Sequence, residues 1–115
     1  MKTARKVILT EFGPPEKMKF ESVVLPEPAA GEVQLKQTAI GLNFIDIYQR
    51  KGVYPIPLPT GLGHEAAGVV EAVGSEVEGF NPGDRVAYMN AGLGAYADYR
   101  NVPADRLVMI PPGVS

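Results

Sequence analysis

The sequence predicts a mainly β fold, a partly open barrel with one short helix, and three observations carry that expectation. The 13 Gly and 11 Pro among 115 residues cut the chain into many short pieces, at a density below that of disordered chains. Residues 32–40 alternate, with Val33, Leu35, Gln37 and Ala39 set against Gln34, Lys36, Thr38 and Ile40, the two-residue period of a strand with one buried face. Residues 43–51 instead carry Phe44, Ile47 and Tyr48 at helical spacing. Six or seven short strands and one helix suit a single domain. At this length it buries about two-thirds of the surface that the unfolded chain exposes.

Residues 5–9 read as a first strand closed by Gly13-Pro14-Pro15, and residues 18–24 as a second closed by Pro26 and Pro28. The alternating strand stops at Gly41. Asp46 and Arg50 stand four apart on the helix beyond it, and Gly52 is placed as its stop. Pro55, Pro57 and Pro59 enforce an extended loop. It delivers the chain to a strand supported by Val69, Val70 and Val73. Asn81-Pro82-Gly83-Asp84 is a turn by composition, and residues 85–89 form the strand that leaves it. Residues 95–102 and 106–110 supply two more, before Pro111-Pro112-Gly113 breaks the pattern.

Composition excludes several classes. Zero Cys removes disulfides, cysteine-based zinc sites and thiol catalysis, and suits a reducing, cytoplasmic setting. With 11 basic and 13 acidic residues, a net charge of −2, the chain has no basic stripe for nucleic acid and no acidic tail. Val7-Ile8-Leu9 behind Lys2, Arg5 and Lys6 is too short for a signal-peptide core, and no segment approaches membrane-spanning length.

The run Thr60-Gly61-Leu62-Gly63-His64-Glu65-Ala66-Ala67-Gly68 sets the only histidine beside a carboxylate, ahead of a small-residue strand that reaches Gly74. Its glycines mark places where backbone must bend or approach closely. Read as residues alone, Asn43 is a helix N-cap, Tyr48 a helix-face aromatic, Tyr54 a loop aromatic and Glu65 a hydrogen-bonded carboxylate. Gly92-Leu93-Gly94-Ala95-Tyr96-Ala97 fits the loose dinucleotide fingerprint G-x-G-x-x-A. The stretch carrying Tyr96, Tyr99, Val102 and Pro103 reads as strand rather than helix, so a phosphate loop is not expected.

The G-H-E-x-x-G run and the later Gly74 resemble the signature of the medium-chain dehydrogenase/reductase superfamily, and Gly83-Asp84-Arg85-Val86 resembles its "GDRV" turn. Asn43-Phe44-Ile45-Asp46-Ile47-Tyr48 followed by Gly52-Val53-Tyr54-Pro55 resembles the zinc-free quinone oxidoreductases of that group. The resemblance covers essentially the whole chain. It implies that residues 1–115 are the substrate-side, GroES-like domain of a two-domain enzyme whose Rossmann domain lies beyond this chain. It further implies an NADPH-dependent quinone reductase, a homodimeric parent and an isolated chain without activity.

The same resemblance assigns roles. Asn43 stands where the zinc enzymes place a cysteine ligand, and Ile45 where they place the hydroxyl of their proton relay, so no metal is expected. Asn43, Tyr48 and Tyr54 are implied as catalytic, and Asn43, Phe44, Asp46, Tyr48 and Tyr54 as cofactor-binding. An amide can hold a ribose or carbonyl oxygen, and flat phenols can wall a quinone and donate to an oxygen gaining charge. Asp46 is expected to hydrogen-bond His64, as a partner that outlasted the metal. Two alternatives stay open: a zinc-free enoyl or alkenal reductase domain on the same scaffold, and a non-catalytic GroES-type barrel module.

Overall fold

The computed structural model describes residues 2–114. Strands β1 (Lys2–Leu9) and β2 (Met18–Leu25) form an antiparallel pair joined through a 3-10 turn at Pro15–Lys17. Then come β3 (Glu32–Ile40), helix α1 (Phe44–Lys51), β4 (Glu65–Val73), β5 (Arg85–Met89), β6 (Tyr99–Pro103) and β7 (Leu107–Met109). The last five strands make one antiparallel sheet in the order β6-β3-β4-β5-β7. β1 closes part of the gap between the two sheets. Its Val7 N–H donates to the Tyr96 carbonyl (2.9 Å), its Arg5 carbonyl accepts from Asp98 N–H (3.0 Å), and Leu9 exchanges two bonds with Thr60. The expected partly open barrel is therefore the observed one.

The alternation in β3 sets its buried side. Val33 and Leu35 are fully buried and pack with Val70, Val86, Tyr88 and Val102 in the principal core. Burying a side chain of this size contributes about 1.5–3 kcal/mol. The expected face fails at its end, however, because the β3–β4 register shifts between Gln37 and Ala39. Across that irregularity Ala39 is exposed along with Thr38 and Ile40. Gly68 on β4 lies against β3, and a Cβ there would collide with the Lys36 carbonyl. Backbone contact so close explains the small residue in mid-strand.

Two other expectations change. The strand expected over 95–102 begins only at Tyr99, because residues 95–98 leave the sheet to bridge β1 at Lys6 and Ala97. The strand expected over 106–110 is Leu107–Met109, preceded by a 3-10 turn at Ala104–Arg106. Gly92 and Gly94 have φ of 84° and 137° and lead into irregular chain and then β6, with no helix after them. Among the described residues, no helix is long and apolar enough to cross a membrane.

A buried polar chain crosses the core. The Gln37 amide donates to the Ala95 and Ala97 carbonyls (2.9 and 2.7 Å), and its oxygen accepts from the Tyr88 hydroxyl. Arg100 donates to the same hydroxyl (3.1 Å) and, through Nη2, to the carbonyls of Ala91, Gly92 and Leu93. Burial pushes the Tyr88 phenol up, and Arg100 opposes that shift. These bonds tie the 91–97 segment to β3 through Gln37 and to β6 through Arg100.

Candidate active site on the outer face of the helix

Helix α1 begins at Asn43, whose extended backbone (φ −124°, ψ 155°) marks the N-cap. The Asp46 carboxylate accepts from Asn43 N–H (3.0 Å), which satisfies a donor at the helix start. Gly52 ends the helix in the left-handed region (φ 84°), as expected, and its N–H returns to the Gln49 carbonyl (3.2 Å). What the helix buries is unusual. Its two buried residues are Asp46 and Gln49, while Phe44 is 78% exposed, Tyr48 40% and Ile45 38%.

Hydrogen bonds hold the polar side inward. Asp46 is 2% exposed, and its Oδ2 also accepts from the Tyr96 hydroxyl (2.7 Å). Gln49 Oε1 lies 3.0 Å from His64 Nε2, a pairing that calls for the Nε2–H tautomer. Arg50 donates to the Gly13 carbonyl (2.8 Å), and Gly13 N–H to the Arg50 carbonyl (2.9 Å). Burial first, and the bond to Asp46 second, push the Tyr96 phenol well above its ordinary range. The helix is thus docked by polar contacts, which leaves its apolar stripe unused by the fold.

The expected Asp46–His64 hydrogen bond is not made. Asp46 Oδ1 and His64 Nε2 are 3.8 Å apart, too far for such a bond. Among the described residues Oδ1 is buried without a hydrogen-bond partner, because Gln49 takes the imidazole nitrogen. Glu65 is half-buried and accepts from Asn43 Nδ2 (3.1 Å). Gly41 makes room for it, since a Cβ there would lie 2.5 Å from the carboxylate. Asn43 is therefore a helix cap whose side chain is oriented by Glu65 on β4.

The residues singled out from the sequence divide into two groups. Tyr48 and Tyr54 meet edge to face, with centroids 5.5 Å apart and planes at 85°. The Tyr48 carbonyl, accepting from Val53 and Tyr54 N–H (2.9 and 3.3 Å), folds the 53–54 segment back against the helix. Asn43 and Phe44 border a cavity of about 350 Å³ with Leu42 and Ile47. No hydrogen bond or ring contact joins Asn43 to either tyrosine among the described residues. Asp46, implied as a cofactor contact, instead lies beneath the helix, holding Asn43 and Tyr96. Gln49 and Tyr96 had no part in the expected site. Gln49 was findable, three residues beyond Asp46 on one helical face, whereas Tyr96 is 50 residues away with no local signal.

Residues 29–112 match the alcohol dehydrogenase GroES-like domain. The chain belongs to that family. This GroES-like domain is 47% identical over 112 residues to a quinone oxidoreductase of Pseudomonas aeruginosa, a match that covers 96% of this chain and 34% of that protein. It superposes with a TM-score of 0.91 and 43% identity on the structure of Escherichia coli quinone oxidoreductase complexed with NADPH, covering 96% of this chain and 34% of that one. A 2-haloacrylate reductase from Burkholderia sp. is 41% identical over 109 residues, covering 90% of this chain and 32% of that protein. The GroES-like domain spans about a third of the length of the curated relatives that it matches.

Proposed function

We propose that residues 1–115 form the substrate-side domain of a zinc-independent, NADPH-dependent quinone oxidoreductase, homodimeric as a whole protein. One observation carries the reading: α1 turns its polar residues inward and leaves Phe44, Ile45 and Tyr48 outward, beside Tyr54. The names of the P. aeruginosa and E. coli relatives, and the NADPH in the latter's structure, support the same assignment.

These residues fit one wall of a nicotinamide and quinone cleft. Asn43, oriented by Glu65, offers an amide to a ribose or carbonyl oxygen. Phe44 and the paired tyrosines supply flat apolar surface, and the phenols can donate to a quinone oxygen as negative charge develops on it. Bound NADPH would supply the hydride, which a quinone accepts without Lewis-acid help because its ring is already electrophilic. Zinc fits less well. His64 Nε2 is turned to Gln49, and among the described residues no three His, Cys, Asp or Glu side chains are grouped to hold a metal ion.

The test joins this domain to a dinucleotide-binding domain and follows NADPH oxidation with 1,4-benzoquinone and with 2-chloroacrylate, before and after dialysis against EDTA. Quinone-dependent oxidation that survives EDTA supports the proposal. Activity lost to EDTA and restored by zinc would contradict it, and preference for the haloacrylate would move the assignment to activated alkenes. The 115-residue chain alone should show no micromolar binding in an NADPH fluorescence titration, because a second domain must hold the pyrophosphate.

A further inference from the structure

Lys6 is half-buried on β1, with Glu21 opposite it on β2. Its ammonium nevertheless makes no ion pair or hydrogen bond among the described residues. Lys19, Lys36, Lys51 and Arg106 likewise have none, but all four are exposed, where water solvates a cation fully. Of these five cations Lys6 is the one whose side chain is half-buried, its stem against the protein and its head free of any protein acceptor among the described residues.

Lys6 and Arg100 line one cavity of about 210 Å³, bordered by Val23, Leu25 and Leu93, and no acidic side chain lines it. Arg100 commits Nη1 to Tyr88 (3.1 Å) and Nη2 to three backbone carbonyls. Its Nε–H has no protein acceptor among the described residues. A Cβ on Gly61 would lie 2.9 Å from the Gly94 Cα, so the backbone is bare where these two glycines border the cavity. None of the residues lining it borders the Asn43 cavity.

We infer that this cavity binds a small organic monocarboxylate, its head toward Lys6 and Arg100 and its body against Val23, Leu25 and Leu93. Two cationic side chains lining a cavity that no acidic side chain lines call for an anion, and a charged acceptor strengthens both hydrogen bonds. Val23, Leu25 and Leu93 select the class, because they bury a hydrocarbon body that an inorganic oxyanion lacks, while Tyr99 and Asn101 add polar edge to the same cavity. The volume lies below that of pockets for drug-sized molecules, which limits the ligand to a small one.

Benzoate and inorganic phosphate are the probes, titrated separately into the 115-residue chain at constant ionic strength and followed by 1H–15N correlation spectra. Benzoate should produce saturable shifts at the amides of Gly61, Gly94 and Ala97 and at Arg100 Nε–H. Lys6→Gln should weaken that binding at least about tenfold, and Lys6→Arg should retain it. The Arg100 resonance reports on the site without any variant. Absence of saturation, undiminished affinity in a folded Lys6→Gln variant, or tighter binding of phosphate than of benzoate would each overturn the inference.

Discussion

The five-stranded sheet and helix α1 obey opposite rules. The sheet hides Val33, Leu35, Val70, Val86 and Val102 and pairs the polar groups that it buries, with Gln37, Tyr88 and Arg100 in one connected chain. The helix hides Asp46 and Gln49, shows Phe44, Ile45 and Tyr48, and leaves one carboxylate oxygen unpartnered. Sheet residues thus act in folding, whereas the outer residues of the helix contribute little to it and face outward. An apolar face kept outside a fold needs another use.

The comparison is broken most easily by substitution on both sides. Leu35→Ala should cost about 2–5 kcal/mol, as expected for a filled core site, whereas Phe44→Ala should change stability by no more than about 0.5 kcal/mol. Urea unfolding of the 115-residue chain measures both, and similar losses would erase the distinction. Asp46→Ala should fall between them at about 1–3 kcal/mol, because it strips the acceptor from Tyr96 and from Asn43 N–H. Hydrogen exchange should then locate the loosening in α1 rather than in β3 and β4.

The smallest effect is in alkaline pH. Tyr96 and Tyr88 are both raised from the usual 10, chiefly by burial. Below pH 10 each phenol is neutral in both states, and its contribution is complete. Above that, the unfolded chain gives up protons that the fold retains, so stability falls as pH rises toward the raised folded values. Tyr96→Phe should flatten that decline in urea midpoints measured from pH 9 to 11. An unchanged slope would show that Asp46 and burial do not hold this proton.

Much of the sheet was legible in the sequence because a strand's face depends on a period of two, and Val33, Leu35 and Gln37 keep it. It became illegible at Ala39, where a register shift decided by pairing with β4 takes the residue off the buried face. Residues 95–98 also read as strand, since nothing local says that they leave the sheet for β1. At the candidate site, Asn43, Gly52 and the helix between them were readable from caps and spacing. The support beneath was not: a bond between Asp46 and His64 was the natural expectation, and only the fold shows Gln49 taking the imidazole and Tyr96 the carboxylate.

The most direct test of the division between helix and sheet is a pair of measurements on Tyr48→Leu/Tyr54→Leu in the protein joined to a dinucleotide-binding domain. The melting temperature of the GroES-like domain should stay within about 4 °C of the parent, equivalent to no more than about 1 kcal/mol. The kcat/KM for 1,4-benzoquinone should fall at least about tenfold, or about 1.4 kcal/mol of transition-state stabilisation. A domain that melts far earlier, or a quinone rate left intact, would show that the two rings serve the fold or serve nothing in the cleft.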